Sequence, residues 1–261
     1  MKIAVCIKQV PDTTDVKIDP ETNTLIRKGV ESIINPYDLH ALETALRLKD
    51  NYGGEVIVFS MGPPQAEKSL KKAIALGADE TILLSDRAFA GADTLATSYT
   101  LARGIKRKGD IDLIICGKQA IDGDTAQVGP GIAEHLQIPH ATYIKKIREK
   151  KENKIILERE FEKGYEIIEM ELPGVITVLK KINEPRLPSI RGILRSRKVN
   201  VPIWGADDLE LDETQIGLDG SPTQVVNIST PDLETKGEIF TGDPQKQIDN
   251  LLNDLLEKQI L

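Results

Sequence analysis

The residues best spaced to do chemistry lie in 114–131, IICGKQAIDGDTAQVGPG. A short apolar run leads into a turn holding Gly117 and Gly123, and the pattern of a helix start follows. Such a junction attracts anions, because the first N–H groups of a helix lack internal partners and the helix dipole adds partial positive charge there. A diphosphate would suit it. The two glycines would let the backbone approach closely, Thr125 offers a hydroxyl, and Gln127 offers an amide donor. Asp122 and Asp124 are expected to hold the turn as capping carboxylates that point away from the ligand. Lys8 and Lys118, near strand ends, are potential anion partners. A well-capped helix without any ligand reads the same way, and the string matches neither a P-loop nor the spaced glycines of a dinucleotide fingerprint.

The elements that would position this junction are legible from periodicity. Residues 2–7, 55–60, 80–84 and 112–116 are short, uniformly apolar runs, which predicts buried parallel strands. Between them, 38–49, 66–76 and 94–105 carry apolar residues at helical spacing. The alternation predicts a doubly wound α/β fold. Loops at the carboxyl ends of such strands are where ligands bind: Cys6 to Val10, Ser60-Met61-Gly62-Pro63, and Asp86 to Thr97. Asn35-Pro36-Tyr37-Asp38 opens a helix, with Asn35 as a candidate cap. Beyond Gln137 the period changes, and 141–148, 154–161, 165–171 and 174–179 predict a small antiparallel extension. From 184 a Pro- and Arg-rich stretch leads to a polar tail with no evident core. Helical spacing returns at 244–260 through Ile248, Leu251, Leu252, Leu255 and Leu256, an apolar stripe that needs cover.

Composition bounds the partners. The 261 residues carry 34 Lys plus Arg against 41 Asp plus Glu, a net charge of −7, which argues against nucleic acid as the main partner. No apolar run reaches the roughly 18 residues of a membrane span, and the chain enters a strand pattern at once, so a cytoplasmic protein without membrane insertion is expected. Cys6 and Cys116 sit inside apolar runs and read as core residues. His40, His135 and His140 lack metal spacing or a nucleophile to serve, and no catalytic set emerges. A nucleotide site without acid, base or nucleophile suits a redox cofactor whose own ring does the chemistry.

Taken in order, KIAVCIKQVPD, INPYDLHALETALRLK, SMGPPQA, LGADE, GKQAIDGDTAQVGPGIAEHL, EREFEKGYEIIEMELPGVITV and NEPRLPSIRGILRSRK resemble the β subunits of electron-transfer flavoproteins, over essentially the whole chain. The resemblance implies an α/β adenine-nucleotide domain with a C-terminal arm, paired with an α subunit that carries its own FAD. It implies nucleotide contacts at Cys6, at Asn35, Pro36, Tyr37 and Asp38, and at Met61. It also implies them along Gly117, Lys118, Gln119, Ala120, Ile121, Asp122, Gly123, Asp124, Thr125, Ala126, Gln127 and Val128. The Pro- and Arg-rich stretch matches the family's partner-recognition loop, with Ile190 as the exposed apolar residue that enters an acceptor dehydrogenase. Arg186, Leu187, Ile193, Leu194 and Arg195 would surround it, with Arg191 and Arg197 adding charge.

The family has two branches. Ordinary members hold AMP as a structural ligand, whereas electron-bifurcating members hold a whole FAD that receives hydride from NADH. DRAFAGADTLATSYTLARGIKR and IGLDGSPTQV (216–225) resemble the second branch. On that resemblance Gly91, Ala92, Asp93, Thr94 and Thr97 are assigned to the flavin, and small residues around Ser60, Met61, Gly62 and Pro63 and around Gly91 to Thr94 would leave the ring edge open to nicotinamide. The alternative for the 91–97 turn is a plain helix cap, with Asp93 or Thr94 as the capping residue. The expected acceptors are a dehydrogenase and a low-potential carrier such as ferredoxin or flavodoxin. The expected division is a nucleotide domain over 1–183, a recognition loop over 184–204 and an arm on the α subunit over 205–261. The rivals are an AMP-holding electron shuttle, a stand-alone ATP-binding enzyme or stress protein, and a structural subunit with a vestigial site.

Overall fold

The computed structural model describes residues 1–12, 32–226 and 237–260. Short runs that are apolar at every position can be satisfied only with both faces covered, and here they form the middle of one nine-stranded sheet. Its parallel part contains β1 (Lys2–Cys6), β4 (Glu55–Met61), β5 (Glu80–Leu84), β6 (Leu113–Gly117) and β10 (Gly174–Val178). Helices α1 (Pro36–Tyr52) and α2 (Glu67–Leu76) cover one face, and α3 (Thr94–Lys108) and α4 (Val128–Leu136) the other. The alternation within β1 shows the logic. Ile3 and Val5 pack toward α1 and α2, Ala4 and Cys6 toward α3 and α4, and all are buried. Burying a side chain such as Ile3 or Val5 contributes about 1.5–3 kcal/mol.

The spatial order is β11-β5-β4-β1-β6-β10-β7-β8-β9, where β7 is His140–Lys150, β8 Lys154–Phe161, β9 Gly164–Glu171 and β11 Ile203–Trp204. Chain order runs outward from β1 through β4 to β5, then reverses at β6 toward β10. The reversal between β1 and β6 is the topological switch point, and the crevice outside their carboxyl ends is the ligand position for sheets of this class.

Three features differ from the periodicity reading. Residues 174–178 do not continue the antiparallel extension: β10 inserts between β6 and β7, parallel to both, and is buried along its whole length. A uniformly apolar GVITV suits such a position and not a half-exposed hairpin. The antiparallel extension is β7-β8-β9. A second sheet pairs β2 (Gln9–Pro11) with β3 (Ser32–Ile34), strands too short for periodicity to detect. The tail after β11 does reach a core, because Leu209 and Ile216 are buried against the α3–α4 side.

The Pro- and Arg-rich stretch contains the short helix α5 (Ile190–Ser196), capped by Ser189, which accepts from the Gly192 N–H at 3.0 Å. The chain divides into compact units 1–226 and 227–261. The second contains α6 (Pro244–Glu257), opened by Asp243 as N-cap, and Ile248, Leu251, Leu252 and Leu255 recur along it at helical spacing. Among the described residues no helix is long and apolar enough to cross a membrane, and no cluster of His, Cys, Asp and Glu could hold a metal ion.

Candidate functional site at the switch point

Parallel pairing sets Cys6 beside Cys116 at the ends of β1 and β6, both buried and free. The hydrogen bond with Cys6, burial, and the nearby Cys6 and Asp38 push the Cys116 thiol well up, so it stays protonated and acts as core. Immediately above lies Gly117. A Cβ there would stand 2.3 Å from Asp38 Oδ1 and 2.7 Å from Tyr37 Cβ, so Gly117 lets the start of α1 close on β6.

Asp38 is the hub of that contact. It is buried, and it accepts from the Lys8 N–H at 2.7 Å. Burial pushes its carboxyl up to about 7, although hydrogen bonds from the Lys8 N–H, the Asn35 side chain and the Gly117 N–H pull the other way. Asn35, fully buried, is the N-cap of α1 by position but makes no side-chain cap bond. Its amide instead donates to the Gln119 carbonyl (2.8 Å) and accepts from the Ile121 N–H (3.2 Å), joining α1 to the turn after β6.

That turn occupies residues 118–127, and α4 opens only at Val128, later than the sequence pattern suggested. Asp124 (φ 53°) and Ala126 (φ 55°) take left-handed backbone conformations, which interrupt any helix before that point. The N-cap is Gln127, whose side chain makes no cap bond, so no side chain at the N-cap satisfies the first N–H groups of α4. Asp122 and Asp124 do not cap it either. Asp122 takes the Lys8 ammonium at 2.7 and 2.8 Å, and Asp124 takes the Gln119 amide. A Cβ on Gly123 would meet nothing within 4 Å among the described residues. One on Gly129 would stand 2.5 Å from Thr177 Cγ2, so the start of α4 sits tight on β10 while the turn before it stays open. An open turn leading to a helix end with no side-chain cap fits a phosphate group.

The amino end of α3 adjoins this turn, with Thr94 Oγ1 3.2 Å from Thr125 Oγ1. Here the cap is filled. Asp93 Oδ1 accepts from the Leu95 and Ala96 N–H groups (2.9 and 3.1 Å), and Oδ2 accepts from the Thr223 N–H and hydroxyl (3.1 and 2.7 Å). The Asp93 N–H donates to Ser221 Oγ at 2.8 Å. Burial raises the Asp93 carboxyl, but Thr223 and the backbone donors outweigh it and hold it below the usual range.

The Electron transfer flavoprotein domain model matches residues 22–209. The chain is 55% identical, over all of both chains, to the electron transfer flavoprotein subunit beta of Thermoanaerobacterium thermosaccharolyticum. It belongs to the electron-transfer flavoprotein β-subunit family. It is also 53% identical over 92% of each chain to the subunit beta of Clostridium acetobutylicum. Over all of both chains it is 50% identical to the caffeyl-CoA reductase-Etf complex subunit CarD of Acetobacterium woodii.

In this electron-transfer flavoprotein chain, the structure brings together four of the segments singled out by sequence. They are the loop after β1 with Cys6 and Lys8, the start of α1, the 117–128 turn, and the 91–97 turn. Ser60 is fully buried in β4 with no partner for its hydroxyl among the described residues, and Met61 and Gly62 make no hydrogen bond to the 117–128 turn. Lys118 is turned toward Tyr143, its ammonium 5.1 Å from the ring centroid. Ser221 and Thr223 were missed as partners of Asp93. The available signal was that a carboxylate has more acceptor positions than its own helix consumes.

Away from the crevice, a cavity of about 410 Å³ lined by Met1, Tyr52, Asp112, Lys150 and Pro173 opens at the opposite, amino-terminal ends of the strands. None of these lining residues opens a helix. In the Pro- and Arg-rich stretch, Leu187 and Ile190 are the most exposed apolar residues, with Ile193 and Leu194 beside them. Arg186 and Arg195 are used internally: Arg186 binds the buried Glu43 (2.7 Å) and Asp50 (2.8 Å), and Arg195 donates to the carbonyls of Ala78 and Asp79. His40 packs on Asn183, His135 lies edge-on to Tyr99, and His140 is exposed.

Proposed function

We propose that this chain is the FAD-binding β subunit of an electron-bifurcating flavoprotein in the cytoplasm. Its partners are an α subunit bearing a second FAD, NADH as electron donor, an acceptor dehydrogenase, and ferredoxin or flavodoxin as the low-potential acceptor. A bound flavin supplies the redox chemistry, accepting hydride and passing electrons singly. The residues of the chain bind and orient. The turn from Gly117 to Val128 takes the diphosphate on the unfilled start of α4, Asn35 and Asp38 brace that turn from α1, and Leu187 and Ile190 meet the dehydrogenase.

One observation carries FAD over AMP. The 91–97 turn is hydrogen-bonded to residues 221–223 on one side and lies against Thr125 on the other, so the polar lining continues from the phosphate turn onto the start of α3, where the ring of a flavin would need it. Likeness to a subunit of a reductase–Etf complex supports an assembly with a dehydrogenase-type enzyme. Coexpression with the α subunit, followed by flavin and AMP quantification, tests the reading. Two FAD per αβ pair are expected. One FAD with one AMP overturns bifurcation in favour of a simple electron shuttle, and ATP turnover without flavin overturns the family reading of the site.

A further inference from the structure

Lys8 reaches from the loop after β1 to the turn after β6, spanning the strand-order reversal. Its backbone is held on both sides: the N–H donates to Asp38 at 2.7 Å, and the carbonyl accepts from the Asn35 N–H at 2.8 Å. From that fixed base the ammonium clasps both oxygens of Asp122. Of the two carboxylates in the turn, Asp124 is taken by the Gln119 amide and Asp122 by Lys8.

Charge decides what this clasp can do. Without Lys8, a phosphate entering the turn would face two carboxylates set against the partial positive charge of the α4 terminus. The Lys8 and Asp122 side chains are 49% and 32% exposed, and an ion pair this accessible to water is worth at most about 1 kcal/mol. Exchanging the carboxylate for a phosphate oxygen therefore costs little and forms a charge-assisted bond in its place.

We infer that Lys8 makes this crevice specific for phosphate-bearing adenine ligands, its ammonium leaving Asp122 for a phosphate oxygen when the ligand binds. The inference rests on the adenine-nucleotide reading above and adds the residue that selects the phosphate.

The test uses the full chain in complex with its α subunit, stripped of nucleotide and titrated calorimetrically with adenosine, AMP, ADP and pyrophosphate. The quantity read is the ratio of adenosine to AMP dissociation constants. Lys8→Met is expected to lower that ratio by about tenfold or more while adenosine affinity holds, the size of one lost charged hydrogen bond. Lys8→Arg should retain most of it. Asp122→Asn is expected to raise the ratio, because it removes a competing carboxylate; a merely structural pair would lose affinity in both variants. An unchanged ratio in Lys8→Met, or a lowered one in Asp122→Asn, overturns the inference, and Asp122→Asn decides alone should Lys8→Met not fold. Pyrophosphate binding as tightly as ADP also overturns it, since the crevice would then select the free anion. If the unaltered protein binds none of the adenine ligands, the nucleotide reading itself fails and takes the inference with it.

Discussion

The amino ends of α3 and α4 begin from the same kind of junction, a buried parallel strand followed by a glycine-containing turn, yet they are finished differently. At α3 the protein supplies its own acceptor: Asp93 satisfies two helix N–H groups with one oxygen and holds Thr223 with the other. At α4 the N-cap Gln127 supplies none, the preceding turn is held open by two left-handed residues, and its carboxylates are drawn off to Lys8 and Gln119. A helix start can serve as scaffold or as anion site, and what separates the two is whether a side chain already occupies the position a phosphate would take.

The sharpest way to break this comparison is Gly123→Val. Among the described residues nothing beyond its chain neighbours lies within 4 Å of the added Cβ, so the thermal midpoint of the stripped protein should not move, whereas nucleotide affinity should fall about a hundredfold through lost access to the turn. Undiminished nucleotide in the purified variant would show that the turn before α4 is not the site. Asp93→Ala should do the opposite. Losing a cap and the Thr223 bonds should cost about 2 kcal/mol of stability, measured by denaturant unfolding, with AMP affinity unchanged. A large loss of AMP affinity at unchanged stability would make Asp93 a binding residue and erase the contrast.

Asp38, beneath the α4 junction, gives a pH signature. Its carboxyl is raised by burial from 3.8 to about 7 in the folded chain. The folded state therefore holds a proton that the unfolded chain has already released across that window. The stabilisation from this group is complete below about pH 4 and is lost as pH rises through about 7. Asp38→Asn should flatten the fall in unfolding free energy between about pH 4 and 7, and a slope identical to that of the unaltered protein would refute this role. The smallest effect is expected at Ala126, whose left-handed backbone favours glycine. Ala126→Gly should stabilise by about 0.5–1 kcal/mol, while the same change at Ala92 in the α3 junction should bring no gain.

Much of the fold was legible because strands and helices announce themselves through contacts between near neighbours. Residues 2–7 and 112–116 were read as buried strands and correspond to β1 and β6; 38–49 and 94–105 were read as helices and correspond to the bodies of α1 and α3. The 114–131 segment was legible as a possible anion junction for the same local reason. The short strands β2, β3 and β11 were not, since two or three residues carry no period. The insertion of β10 was also hidden, because GVITV fits either a parallel or an antiparallel neighbour until the sheet is assembled.

By itself, then, the sequence determined the elements, the glycine turns, the family membership and the supply of carboxylates and cations around the strand ends. Only the tertiary structure decided the pairings: Asp93 with Thr223, Asp122 with Lys8, Asn35 with Gln119, and Arg186 with Glu43. These partners stand between 84 and 143 positions apart along the chain. No short-range pattern encodes such matches. Each is fixed when the order of strands in the sheet brings two loop ends together, and at that point burial and charge determine which side chains satisfy one another and which helix start keeps an unfilled cap.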